Sequence, residues 1–225
     1  DVQTDRDDNV YFRAASGIYK YDRHGHPAEW EADEPYIFNP YPIRTRNVLG
    51  TTFHRDKPDE AKIGGRRVDM RQYVGRPGFS YRFGGFAIDR DEQIYLVQQE
   101  PTMEVQVFDR AGRHLRTLPL DDDYVECKSI RATDAGLWLA VRDGLVRIDK
   151  QQGRVEKQLD RVSGVLHLGR DGLLYVVHRR ICRVDPVAGR IVPFTADAPQ
   201  VVDDGRELSL ELPDGAPTDS AGRAA

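Results

Sequence analysis

One short unit occurs four times in this chain of 225 residues, and it constrains the fold more than any composition figure. The copies are TDRDDNVYFRAASGIYKYDRHGH (4–26), GGFAIDRDEQIYLVQQEPTMEVQVFDRAG (84–112), ATDAGLWLAVRDGLVRIDKQQGR (132–154) and LGRDGLLYVVHRRICRVDPVAGR (168–190). Each begins with an acidic or glycine turn and continues into a short strand carrying one aromatic: Tyr11, Tyr95, Trp138 or Tyr175. A second apolar strand then ends in Asp22, Asp109, Asp149 or Asp185, and Gly25, Gly112, Gly153 or Gly189 follows. Alternating β-branched and aromatic residues suit half-buried strands. Asp and Asn side chains bond their own backbone, and glycine tolerates positive φ, so the clusters between strands are turns.

The spacing decides the architecture. Tyr95 to Trp138 is 43 residues, Trp138 to Tyr175 is 37, and Tyr11 to Tyr95 is 84, close to two such periods. A period near 40 with several short strands per unit is the mark of a β-propeller blade. A β-sandwich also spaces its strands regularly, but nothing in it requires the same order of turn, aromatic, strand, Asp and Gly. The expected fold is therefore all-β, a propeller of four-stranded blades, six-bladed or part of one. The four aromatics should then occupy equivalent positions on equivalent strands.

The stretches Gly85–Asp89, Ile94–Val97 and Val105–Gly112 resemble the NHL-type propeller repeat, and more distantly the six-bladed superfamily of SMP-30/gluconolactonase-like proteins. Gln98 stands where the NHL repeat commonly has Asp after its valine. The resemblance implies a propeller. It carries no catalytic residue to any position of this chain.

On this reading residues 1–212 form the propeller, with blade repeats at 1–30, 83–120, 121–160 and 161–200, and 213–225 is a polar tail. Residues 31–82 match no copy well. They are either a degenerate blade or an insertion, and long loops inside compact domains often carry function. Tyr36, Tyr41, Arg44, Arg46 and His54 concentrate there among prolines. Aromatic and arginine side chains dominate binding surfaces because they bury large areas with directional polar tips. These five residues are the candidate binding site, and the alternative is that the aromatics are blade core.

Catalytic signals are missing. The chain has no GxSxG, HExxH, GxGxxG, P-loop or zinc-type cysteine spacing. TDRDDN (4–9) and DDD (121–123) hint at calcium, but neither has EF-hand spacing, and the first falls on a repeat turn. His24 and His26 flank a glycine in a turn, an ordinary place for polar residues. We expect no catalytic residue, no metal ligand set and no cofactor. Cys127 and Cys182 fall on non-equivalent strands of neighbouring blades, so two free thiols are expected.

A net charge of −4, with arginines interspersed among acids, argues against nucleic acid as a partner. No apolar run approaches the roughly 18–20 residues of a membrane span. The N-terminal stretch has no signal-peptide pattern, and a mature secreted chain would read the same way. The compartment stays open, with secreted or periplasmic placement favoured over the cytoplasm. The function expected is a non-catalytic module presenting loops to a protein or peptide partner, or to a glycan. The alternative is a propeller hydrolase or lyase with a metal in its channel.

Overall fold

A computed structural model describes residues 1–14, 17–32, 47–52, 60–63, 66–77, 79–80, 82–120, 126–178, 181–193, 201–203 and 208–210. Four antiparallel sheets of four strands dominate it. Blade 1 comprises β1 (Val2–Thr4), β2 (Val10–Ala14), β3 (Gly17–Tyr21) and β4 (Val48–Leu49). Next come β5 (Thr51–Thr52), β6 (Glu60–Ile63), β7 (Arg66–Asp69), a 3₁₀ turn (Met70–Tyr73) and β8 (Phe79–Ser80). Of these, β5 pairs with β8 in parallel, and β6 with β7 antiparallel.

Blade 2 comprises β9 (Arg82–Ile88), β10 (Ile94–Glu100), β11 (Glu104–Phe108) and β12 (His114–Pro119). Blade 3 comprises β13 (Ser129–Thr133), β14 (Gly136–Val141), β15 (Gly144–Ile148) and β16 (Val155–Asp160). Blade 4 comprises β17 (Val165–Leu168), β18 (Leu174–Val177), β19 (Ile181–Asp185) and β20 (Arg190–Val192). A separate hairpin joins β21 (Val201–Asp203) to β22 (Leu208–Leu210). No described helix is long and apolar enough to cross a membrane.

The repeat alignment holds in register. Tyr11, Tyr95, Trp138 and Tyr175 all lie on the second strand of their blade. Each pairs with the residue two positions before the repeat's Asp: Lys20, Val107, Arg147 and Arg183. The acidic turn explains the tyrosines. Asp5 accepts the amides of Asp7 and Asn9 with one oxygen and the Tyr11 hydroxyl, at 2.9 Å, with the other. Asp89 repeats this with Asp91, Gln93 and the Tyr95 hydroxyl, again at 2.9 Å.

Blade 4 has Gly169 in that place, and Asp171 takes the Tyr175 hydroxyl instead, at 2.8 Å. Asp8, Glu92 and Gly172 occupy the left-handed position of these three turns, with φ of 62°, 60° and 78°. Blade 3 turns tightly through Asp134-Ala135, and Ala132 offers no carboxylate, so its aromatic is Trp138. The indole N–H points onward and donates to the Pro186 carbonyl of blade 4 at 3.3 Å. The run 4–9 is thus a hydrogen-bonded turn, whereas 121–123 lies outside the described residues.

The innermost strands neighbour one another in the order β1, β9, β13, β17. Blade 1 sits directly beside blade 2, where the Gln3 side chain donates to Phe86 O at 2.6 Å and accepts Ile88 N–H at 2.9 Å. Three apolar layers fill the gaps between blades. Tyr11, Ile18, Trp30 and Leu49 meet Phe86, Ile94, Leu96 and Phe108 between blades 1 and 2. Tyr95, Val97, Val105 and Val107 meet Leu137, Leu139 and Val146 between blades 2 and 3. Trp138, Ala140 and Leu145 meet Leu174, Val176 and Val184 between blades 3 and 4. Cys127 and Cys182 are buried free thiols in two different layers, as their positions in the repeat require.

The turn carboxylates also set the acid limit of the fold. Burial opposes ionisation of Asp5, but hydrogen bonds from Asn9, Tyr11 and Asp7 outweigh it and hold its pKa below the usual value. At Asp149 the amides of Gln152, Arg154 and Gln151 likewise overcome burial, and at Asp185 those of Ala188 and Val187 lower the pKa. A carboxyl depressed in the folded state stabilises above its unfolded pKa, near 3.9, and loses that contribution as pH falls through the folded value. The melting temperature should therefore be flat from about pH 7 to 5 and fall below about pH 4. A thermal melt series across that range checks it, and a fall centred near pH 6 would implicate the histidines instead.

Candidate functional site

Each innermost strand enters the fold at the same end of the arc. There Arg82, Phe83 and Gly84 begin β9, Lys128 leads into β13, and Arg13 stands near the end of β2. Between them opens a pocket of about 390 Å³, also lined by Gln99, Glu126 and Cys127. That volume is within the range of small-ligand sites.

Gly84 makes the close approach possible. A Cβ at this position would lie 2.6 Å from Gln99 Nε2 and 2.9 Å from the Cys127 carbonyl oxygen. Gln99 donates from that nitrogen to the same carbonyl at 2.7 Å, which leaves its side-chain oxygen as an acceptor.

The lining is cationic. Arg82 donates to Glu126 at 3.1 Å, and Arg142 stands 4.0 Å from the same carboxylate. Arg13 is half-buried, and its Nη1 donates to the Phe83 carbonyl at 3.4 Å. Its Nε is buried and has no hydrogen-bond partner among the described residues, the nearest carboxylate being Asp1 at 3.9 Å. Burial lowers the pKa of this guanidinium below the ordinary arginine value.

Burial shifts three described groups of the nucleophilic or acid–base kind. Burial pushes the Cys127 thiol up to about 12, and the thiol donates to Ser129 O at 3.4 Å. Burial likewise lifts Cys182 to about 11. A thiol that high is protonated at neutral pH and is not a nucleophile. The His114 ring pairs with the Thr117 hydroxyl at 3.2 Å and is shifted down by burial. Among the described residues no three His, Cys, Asp or Glu side chains converge to hold a metal ion. His26 faces Asp22 at 3.3 Å within its own turn.

Tyr36, Tyr41, Arg44, Arg46 and His54 lie outside the described residues. The chain enters that stretch after Ala32, whose amide donates to Ala111 O in the β11–β12 turn, at the end of the arc opposite the pocket. The pocket residues carry no local motif, since three separate strands and the segment leading into β13 contribute them. One sequence signal was available: the Gly84-Gly85 pair in an otherwise apolar strand, a pattern that marks close approach of other groups.

No protein-family profile and no curated protein matches this chain. Solved structures do align with it, at low identity. The extracellular domain of a one-component system of B. thetaiotaomicron is 14% identical, with a TM-score of 0.44, over 85% of this chain and 21% of that one. A glucose dehydrogenase-type oxidoreductase of Thermus thermophilus is 14% identical, with a TM-score of 0.45, over 85% and 60%. The PQQ-bound aldose sugar dehydrogenase of Streptomyces coelicolor is 12% identical, with a TM-score of 0.42, over 84% and 57%. This chain therefore spans less than two thirds of the length of each.

Proposed function

We propose that this chain is a non-catalytic binding propeller that presents its loops and the pocket at the inner-strand end to a protein, peptide or glycan partner. The observation that carries the reading is the Arg13 guanidinium, whose side chain remains 29% exposed on the pocket wall. With Arg82 and Lys128 beside it, the pocket suits an acidic group on the partner, such as a peptide carboxylate or an acidic sugar. Tyr36, Tyr41, Arg44, Arg46 and His54 belong to the same proposal as a second contact surface. The NHL-like repeat supports it too, since that resemblance brings no catalytic residue with it.

The test is a binding screen against arrays of acidic and neutral peptides and glycans. Acidic hits should weaken about tenfold or more in Arg13→Met with Lys128→Ala, a change on the scale of one charge-assisted hydrogen bond. The melting temperature should fall by only a few degrees, and neutral hits should keep their affinity. Hits that ignore both substitutions but vanish in Tyr41→Ala with Arg44→Ala would move the site from the pocket to the 36–54 segment. Stoichiometric metal in the purified protein, with turnover of a lactone or ester, would replace this reading by the enzymatic one.

A further inference from the structure

The pocket offers donors and acceptors together, and the mixture narrows what can fill it. Arg13 and Lys128 bring two positive charges to its lining. The carboxylate nearest Arg13 is 3.9 Å away, and Lys128 is exposed, with no ion pair among the described residues. An acid on the ligand therefore meets two cations that no described carboxylate holds in a hydrogen bond.

Two other lining groups accept hydrogen bonds. Gln99 Nε2 donates to the Cys127 carbonyl at 2.7 Å, and a carbonyl can only accept, so Oε1 is the end of the amide left for a ligand. Glu126 Oε1 accepts from Arg82 at 3.1 Å, while Oε2 lies 4.0 Å from Arg142 Nε, beyond hydrogen-bond reach. A bare anion leaves both acceptors unfilled and is repelled by Glu126. A zwitterion would bring an ammonium to Glu126, but Arg82 and Arg142 stand beside that carboxylate and oppose it. A hydroxyl donates without a charge and suits both acceptors. The volume of about 390 Å³ is near the lower end of small-ligand sites, which suits a single ring.

We propose that the pocket takes an acidic sugar, a ring bearing one carboxylate and several hydroxyls. Its acid lies on Arg13 and Lys128, and its hydroxyls donate to Gln99 and Glu126. Resting on the binding reading above, this selects the acidic glycan from the candidate partners. A peptide's terminal carboxylate has one backbone N–H beside it, whereas a sugar ring carries hydroxyls on successive carbons.

The test is calorimetric titration of the full wild-type chain with four probes. They are glucuronate, cyclohexanecarboxylate (ring and acid without hydroxyls), glucose (hydroxyls without acid) and alanine (a zwitterion). Glucuronate should bind, and the other three should be weaker by about tenfold or more, because a site built around hydroxyls rejects analogues that lack them. Lys128→Ala, at an exposed side chain, should weaken glucuronate about tenfold or more with little change in melting temperature. Gln99→Met should narrow the gap between glucuronate and cyclohexanecarboxylate.

Cyclohexanecarboxylate binding as tightly as glucuronate overturns the sugar and leaves a simple acid site, with the binding reading intact. Alanine as the tightest probe overturns it in favour of a zwitterion. Glucose equal to glucuronate overturns both the sugar acid and the acidic-group reading. So does the failure of every probe to bind at about 10 mM.

Discussion

Replacing Trp138 with alanine is expected to destabilise the propeller by about 3–5 kcal/mol, the range for removing a large aromatic from a packed core. For a chain of this size that corresponds to a drop of roughly 6–20 °C in melting temperature. The indole is fully buried between blades 3 and 4, against Ala140, Leu145, Leu174 and Val184. It also donates to Pro186 O, and the Arg147 guanidinium lies 5.9 Å from its ring centre while bonding Pro186 O and Val187 O at 2.8 Å. Alanine therefore leaves a cavity and removes one of the polar ties between the two blades.

Tyrosine at this position tests the local logic further. It fills most of the volume, but its hydroxyl would find Ala132 where blades 1 and 2 have a turn carboxylate. It should recover part of the loss and not all of it. Val187→Ala, on an exposed turn of blade 4, is the control and should move the melting temperature little. A Trp138→Ala shift no larger than that control would mean the layer between blades 3 and 4 is not a core.

The blades were legible because their signals are local. Asp, aromatic, Asp and Gly fall within about twenty residues, and each has a short-range role, whether accepting turn amides, filling an interblade layer, or turning with positive φ at Gly25, Gly112, Gly153 and Gly189. Even Trp138 was placed correctly among tyrosines, because strand position fixes which face it occupies. The last strand of blade 1 was not legible. Val48–Leu49 pairs with β3 after a long excursion, and two residues carry no periodicity.

The pocket was not legible either. Arg13, Arg82, Gln99 and Lys128 are 115 residues apart at the extremes, and only the side-by-side order of β1, β9 and β13 brings them together. Single arginines on a mixed-charge chain are indistinguishable from solvated surface until burial is known.

Asp89 offers the sharpest test of the repeat's turn, because blade 4 contains the same device in water. In blade 2 the Asp89 carboxylate is buried and holds four partners: the amides of Asp91 and Gln93, the Tyr95 hydroxyl, and Lys150 Nζ at 3.0 Å from blade 3. Asp89→Ala leaves the Tyr95 hydroxyl, on a ring that is itself buried, with only a long 3.4 Å bond to Gln93 Oε1, and unpairs a partly buried lysine. Each buried polar group left without a partner costs about 1–3 kcal/mol, so a total near 3–4 kcal/mol is expected. In blade 4, Asp171→Ala removes the same bond to Tyr175 and one to the Leu173 amide, but that turn is exposed and water replaces both. Its cost should stay below about 1 kcal/mol. Pairing Asp89→Ala with Tyr95→Phe separates the terms, since the double variant no longer leaves a weakly held hydroxyl and should regain up to about 1 kcal/mol over the sum of the singles. Equal losses for Asp89→Ala and Asp171→Ala in urea melts would show that the turn's own backbone, and not burial between blades, sets its contribution.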